Sequence, residues 1–233
     1  MFGITDSNQK IVTSGLVMYL DAANIKSYPG SGTTWTDMSG NGNNGTLVNG
    51  PSFSSNSILF DGVNDYVTLG NNKLQYQSNF TLETFSKFPN LPNNPGSQCG
   101  ARYPIIYNHD YGYNLLIGTT GLLVFQIYNT SSAQSNVVSM APVTGSNFFH
   151  STAIKNGTTI SLYLNGVLQN SKDLSTNSVY YSSNPFVIGG HGICGGNRFY
   201  SNGNISVVKV YNRTLSADEV LQNFNAQKSR FGL

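Results

Sequence analysis

The sequence predicts an all-β fold, a sandwich or barrel, on three observations. Short apolar and aromatic runs alternate with turns of Gly, Asn and Ser along the whole chain. Asn165-Gly166 separates two such runs, TTISLYL and VLQNS, and supplies the two positive-φ positions of a type I′ hairpin turn. The 233 residues are 39% hydrophobic and 12% aromatic, enough for one sizeable core in a single domain.

Each element follows from its residues. The first strand is GLVMYLD at residues 15–21, followed by SILFD at 57–61 and YVTL at 66–69. Residues 79–88, NFTLETFSKF, give a long strand, and 105–108, 113–118 and 122–128 give three more, each bounded by Gly, Asn or Pro. Residues 136–140, 148–155, 159–164, 167–170, 186–189 and 203–211 complete the set. In the 159–164 run, Ile160, Leu162 and Leu164 alternate with polar or aromatic neighbours, as in a half-buried strand. One helix spans residues 216–228: Ser216 and Glu219 form a capping box, and Leu215 and Val220 a hydrophobic staple. Val220, Leu221 and Phe224 form one apolar stripe, which lays the helix on the sandwich. Residues 89–104, with four prolines, and Gly-rich residues 189–202 read as long loops. Residues 1–14 read as an arm, a candidate attachment segment, ahead of one domain at 15–233.

Charge excludes several functions. Only 9% of residues are charged, against roughly 25% in an average soluble protein. The net charge of +2 comes with no Lys/Arg stripe, so nucleic acid is not an expected partner. Polarity rests instead on 30 Asn, 28 Ser and 18 Thr. No apolar run is long enough to span a membrane, and the start, MFGITDSNQKIVTSG, lacks the basic and apolar regions of a secretory signal.

Catalytic patterns are sparse. There are two glutamates, Glu83 in a strand and Glu219 in the capping box, and no E-x-D-x-E run, G-x-S-x-G elbow or phosphate loop. The chain therefore reads as non-enzymatic and requires no cofactor. Asp37, Ser39 and Asn41, followed by Gly42, echo the first half of a calcium loop. The twelfth position is Val48, so a weak calcium site is the most this loop supports; a loop held by Asx bonds to its own backbone is the simpler reading. Asp61 and Asp65 in the DGVND turn are further cation candidates. Cys99 and Cys194 both lie in the Gly-rich loops; two free thiols and a Cys99–Cys194 disulfide stand as alternatives. A sugar surface needs aromatic faces beside amides and carboxylates, and His109, Asp110, Tyr111, Tyr113 and Asn114 supply both, with Arg198 as an addition.

Five segments, in order, carry a family resemblance. GLVMYLDAANIKSYPGSGTTWTDMSGNGNNGTLVNGP, ILFDGVNDYVTLG, FTLETFSKF, TTISLYLNGVL, and NPFVIGG with NGNISVVKVYNRTLSADEVLQNF resemble the concanavalin A-like, laminin-G-like superfamily over residues 15–224. The resemblance implies a two-sheet antiparallel jelly-roll sandwich with one short C-terminal helix. Within it His150, in NFFHSTAI, sits where the family has a structural strand, and Ser206 replaces an Asp of the closing strand, which weakens any calcium site there. The SYPGSGTTW…DMSGNGNNGTLVNGP wording is similar to versions in tailed, particularly marine, bacteriophages. It implies a virion structural protein, a capsid decoration, head fibre or tail-associated module, on the virion surface after assembly in the host cytoplasm. Its implied partners are other virion proteins, copies of itself and host-surface polysaccharide. The alternative is a carbohydrate-binding receptor module, a tail-fibre or secreted lectin.

Overall fold

Strands that alternate apolar and polar side chains can bury one face each by stacking as two sheets. A computed structural model describes residues 9–71, 73–91, 102–108, 112–129, 134–174, 179, 185–194 and 197–233, with backbone alone for 191–194 and 197. In chain order the first strands are β1 (Leu16–Asp21), β2 (Thr34–Trp35), β3 (Gly45–Val48), β4 (Ser52–Ser54), β5 (Ser57–Asp61) and β6 (Tyr66–Asn71). Next come β7 (Asn79–Lys87), β8 (Tyr103–Asn108), β9 (Tyr113–Ile117), β10 (Leu122–Tyr128), β11 (Gln134–Pro142) and β12 (Phe149–Asn156). The last are β13 (Thr159–Leu164), β14 (Val167–Asp173), β15 (Pro185–Ile188), β16 (Gly190–Cys194), β17 (Asn197–Tyr200) and β18 (Asn202–Tyr211). Helix α1 (Ala217–Gln227) and a 3-10 turn (Lys228–Phe231) close the chain.

The first sheet runs β14-β13-β12-β7-β18-β5-β4, and the second β11-β10-β9-β8-β15-β6-β3-β2. Strand β1 joins the first sheet beside the C-terminal half of β18, whose N-terminal half pairs with β5. Both sheets are antiparallel, so the architecture is the jelly-roll sandwich with one short C-terminal helix. Between the sheets Met18, Leu20, Phe80, Leu82, Phe125, Phe186, Val208 and Val210 are fully buried. Each such side chain contributes about 1.5–3 kcal/mol.

Local signals in the sequence hold. Asn165 and Gly166 take φ of 49° and 80° and join β13 to β14 in register at Leu164 and Val167. Ser216 accepts from the Glu219 amide, and Glu219 reaches back to the Ser216 amide. Leu215 and Val220 pack together in a second, smaller core with Val12, Ile154 and Tyr211 beneath the helix.

Three expectations change. Strands β2, β3 and β4 are not among the strands expected from the sequence, because two- to four-residue edge strands of Gly, Ser and Thr carry no alternation long enough to see. Gly45 is needed there for close approach, since a Cβ would stand 2.6 Å from Val67 Cγ1. Residues 189–202, expected as a loop, contain the β16–β17 hairpin, which lies against β8. The expected arm is partly docked on its own domain: the Val12 amide donates to Asn223 Oδ1 at 2.7 Å, and the Lys10 carbonyl accepts from Gln222 Nε2 at 2.8 Å. Residues 1–8 lie outside the described residues.

Candidate functional site

The residues expected to bind sugar do not form one described surface. Tyr113 opens β9 inside the sandwich, with its ring 4.5 Å from Phe80 and its hydroxyl donating to the Leu74 carbonyl. Burial pushes its phenol well above the usual range. Asn114 is fully buried and accepts from the Asn108 amide at 3.1 Å. Tyr113 and Asn114 are consecutive in β9 and so point to opposite faces of this internal strand, and both faces are covered. Arg198 is exposed on β17. His109, Asp110 and Tyr111 lie outside the described residues, as does Cys99, and the Cys194 side chain is not described.

The calcium candidates form loop knots. Asp37 Oδ1 accepts from the Tyr19 amide at 2.8 Å and the Ser39 amide at 2.9 Å. Its Oδ2 accepts from Ser39 Oγ at 2.8 Å and the Asn43 amide at 2.9 Å. Both oxygens thus already serve donors of the loop and, through the Tyr19 amide, of β1, as in an Asx-held turn tied to its neighbouring strand. Asn41 Nδ2 donates to Ser39 Oγ at 3.0 Å. Asp61 accepts from the Val63 amide at 2.8 Å, and Asp65 accepts from the Asp61 amide at 3.1 Å. Burial, with Asp61 beside it, raises the Asp65 carboxyl. Among the described residues no cluster of three or more His, Cys, Asp or Glu can hold a metal ion.

Under α1 lies a charged cluster that the sequence reading passed over. Glu83 on β7 stands opposite Lys209 on β18, facing outward from the first sheet, and both are fully buried by the helix. Lys209 Nζ pairs with Glu83 Oε1, Asn223 Nδ2 of α1 donates to Oε2 at 2.7 Å, and His150 Nε2 lies 3.1 Å from Oε1. Burial drives the Glu83 carboxyl up, but Lys209 and His150 overcome it and bring it down to about 2. Burial lowers His150 and Lys209, so the imidazole is neutral at neutral pH. His150 lies between Phe85 at 4.6 Å and Phe224 at 5.6 Å. Beside this cluster Arg230 makes a bidentate pair with buried Asp21, at 2.6 and 2.9 Å. A lone charge inside the apolar runs TLETF and SVVKVY was the available signal. The strand carboxylate is therefore sealed from substrate and paired, unlike the open carboxylate pair that glycoside cleavage uses.

A groove opens where the start of α1 meets the β12–β13 hairpin. It has a volume of about 490 Å³, a floor of Ile154 and Leu215, and walls that include Asn156, Ser161, Tyr163 and Ser216.

A family profile described as the concanavalin A-like lectin/glucanases superfamily matches residues 61–221. The chain belongs to this superfamily. A comparison with curated proteins gives no match. Among solved structures this superfamily member is similar to the binding domain of Paraclostridial Mosquitocidal Protein 1, with 20% identity over 91% of this chain and 52% of that one and a TM-score of 0.66. It is similar to the binding domain of botulinum neurotoxin serotype D, with 17% identity over 93% of this chain and 53% of that one and a TM-score of 0.67. The binding domain of botulinum neurotoxin DC in complex with SialylT has 15% identity over 92% of this chain and 52% of that one, with a TM-score of 0.63. The chain thus spans about half the length of these structures, and at such identity the likeness is one of fold. These neighbours are binding domains of toxins, and the phage origin implied by the wording of the first segment gains no support from them.

Proposed function

We propose that this domain is a non-catalytic carbohydrate-binding module. The observation that carries the reading is a lectin-superfamily sandwich whose strand carboxylate, Glu83, is locked by Lys209 and Asn223 under the helix. Binding without cleavage needs a shaped polar surface and no exposed acid–nucleophile pair. The binding domain solved with SialylT lends support, as a relative in fold that carries a sugar ligand. A glycan array probed with the labelled chain is expected to retain it on a subset of glycans, with no reducing ends released on incubation. Release of reducing sugar, or an array with no retained spot, would sink the reading.

A virion setting for the same module is favoured by one sequence observation, the SYPGSGTTW and DMSGNGNNGTLVNGP segments. In that setting the module sits on the particle surface beside other virion proteins and adheres to host polysaccharide. Immunogold labelling of purified particles tests it, and particles without label would refute it.

A further inference from the structure

Strand β13 decides what the groove can hold. Ile160 and Leu162 are fully buried in the core, so Thr159, Ser161 and Tyr163 line the groove from the opposite side of the strand. Tyr163 is half-buried and leans on the small core of Ile154, Leu215 and Val220, which fixes its ring. Several polar groups here are already engaged. Thr159 Oγ1 donates to Asp173 at 2.6 Å, Thr214 Oγ1 donates to the Lys155 carbonyl at 3.2 Å, and Ser216 Oγ accepts from the Glu219 amide at 3.2 Å. The hydroxyls of Ser161 and Tyr163 and the amide of Asn156 make no hydrogen bond among the described residues.

Charge narrows the ligand further. Glu219 is the one ionisable carboxylate or cation among the lining residues, and Arg213 grips it at 2.6 and 2.8 Å. That hydrogen-bonded pairing holds the carboxyl down at about 2, so Glu219 stays ionised and its charge is matched. Nothing in the lining selects an anion or a cation. A rigid aromatic ring, an apolar floor and unengaged Ser, Asn and Tyr groups are what a sugar needs: C–H faces stack on the ring and floor, and hydroxyls take the polar groups. The volume falls within the roughly 300–1,000 Å³ of small-molecule sites. A second depression, lined by Tyr28, Phe53 and Asn56 among others, has a volume of about 180 Å³, below the roughly 300 Å³ lower end of small-molecule sites, and its Tyr28 hydroxyl is taken by the Gly32 carbonyl.

We propose that the groove between β13 and the start of α1 binds a neutral glycan, with Tyr163 as the stacking face and Asn156 and Ser161 as hydrogen-bonding groups. The proposal rests on the carbohydrate-binding reading and adds the site and the charge class to it. The test is titration of the ¹⁵N-labelled chain with lactose, cellotetraose, maltotetraose and chitotriose, and with sialyllactose as the charged counterpart of lactose. At least one neutral sugar should shift the amides of Asn156, Ser161, Tyr163 and Ser216. Tyr163→Ala and Ser161→Lys should each weaken that sugar by about tenfold or more, and Met140→Ala, at an exposed position on β11, should stay within about twofold. Ser161→Lys fills the groove from a half-exposed position, so it remains informative if Tyr163→Ala unfolds. Unchanged affinity in both groove variants, with shifts elsewhere, would overturn the site and leave the carbohydrate reading standing. Tighter binding of sialyllactose than lactose would overturn the neutral class. No shift from any of the five sugars would overturn the site together with the reading beneath it.

Discussion

Replacing Glu83 with Gln removes the charge that compensates Lys209 in a place water does not reach. Both side chains have 0% exposure, so the ammonium cannot turn to solvent. What remains near it are the Asp21 carboxylate, already paired with Arg230, and the faces of Tyr19 and Phe85, at 5.8 and 5.9 Å, which together offset only part of the loss. Breaking one side of a buried ion pair costs about 3–5 kcal/mol. That is a large share of the roughly 5–15 kcal/mol by which domains are stable. For a chain of this size each kcal/mol lowers the midpoint by about 2–4 °C, so Glu83→Gln should melt about 6–20 °C lower by calorimetry at neutral pH. The double variant Glu83→Gln/Lys209→Met removes both charges and should recover most of the loss, because no uncompensated ion is left. A single variant that loses under about 1 kcal/mol, or a double variant as weak as the sum of the singles, would refute the argument.

Acid should weaken the domain in two stages, because both groups have folded-state values below their unfolded ones. Stability from neutral His150 fades as pH falls below 6.5, and that from ionised Glu83 fades from 4.5 towards about 2. Guanidinium midpoints at about pH 7.5 and 5.5 should differ in the parent and converge in His150→Gln. Ser216→Ala deletes the capping box and should cost about 1 kcal/mol, read as a drop of about 2–4 °C; an unchanged midpoint would show that the cap adds nothing. Asp37→Ala orphans the Tyr19, Ser39 and Asn43 amides and should cost about 2–4 kcal/mol by denaturant melt. Millimolar calcium should leave the parent's melting curve in place, since Asp37 is saturated by its loop; a clear upward shift would mean that Asp37, or the Asp61–Asp65 turn, takes the ion.

Local rules were legible wherever a few consecutive residues decide the outcome. Asn165-Gly166 specifies its turn because few residues accept positive φ, and Ser216 with Glu219 specifies a helix start because the two orphan amides are three residues apart. The long strands showed through their alternation, whereas β2–β4 and the β16–β17 hairpin did not: short edge strands rich in Gly, Ser and Asn have the composition of turns. Burial of polar residues was the least legible property. Tyr113 and Asn114 looked like a sugar surface, yet neighbouring strands and the segment around Leu74 enclose them. Lys209 and Glu83 are 126 residues apart and meet only because β7 and β18 pair.

By itself the amino-acid order determined the all-β class, the closing helix and the scarcity of glutamates, since each follows from periodicity, capping or simple count. The tertiary structure alone decided which faces were covered. Helix α1 turned one outward sheet face into a second interior around Glu83, and beside its first turn it left Asn156, Ser161 and Tyr163 with unengaged polar groups. Sequence fixes which way a side chain points from its strand, but only packing between distant elements removes water from one such face and leaves it on another.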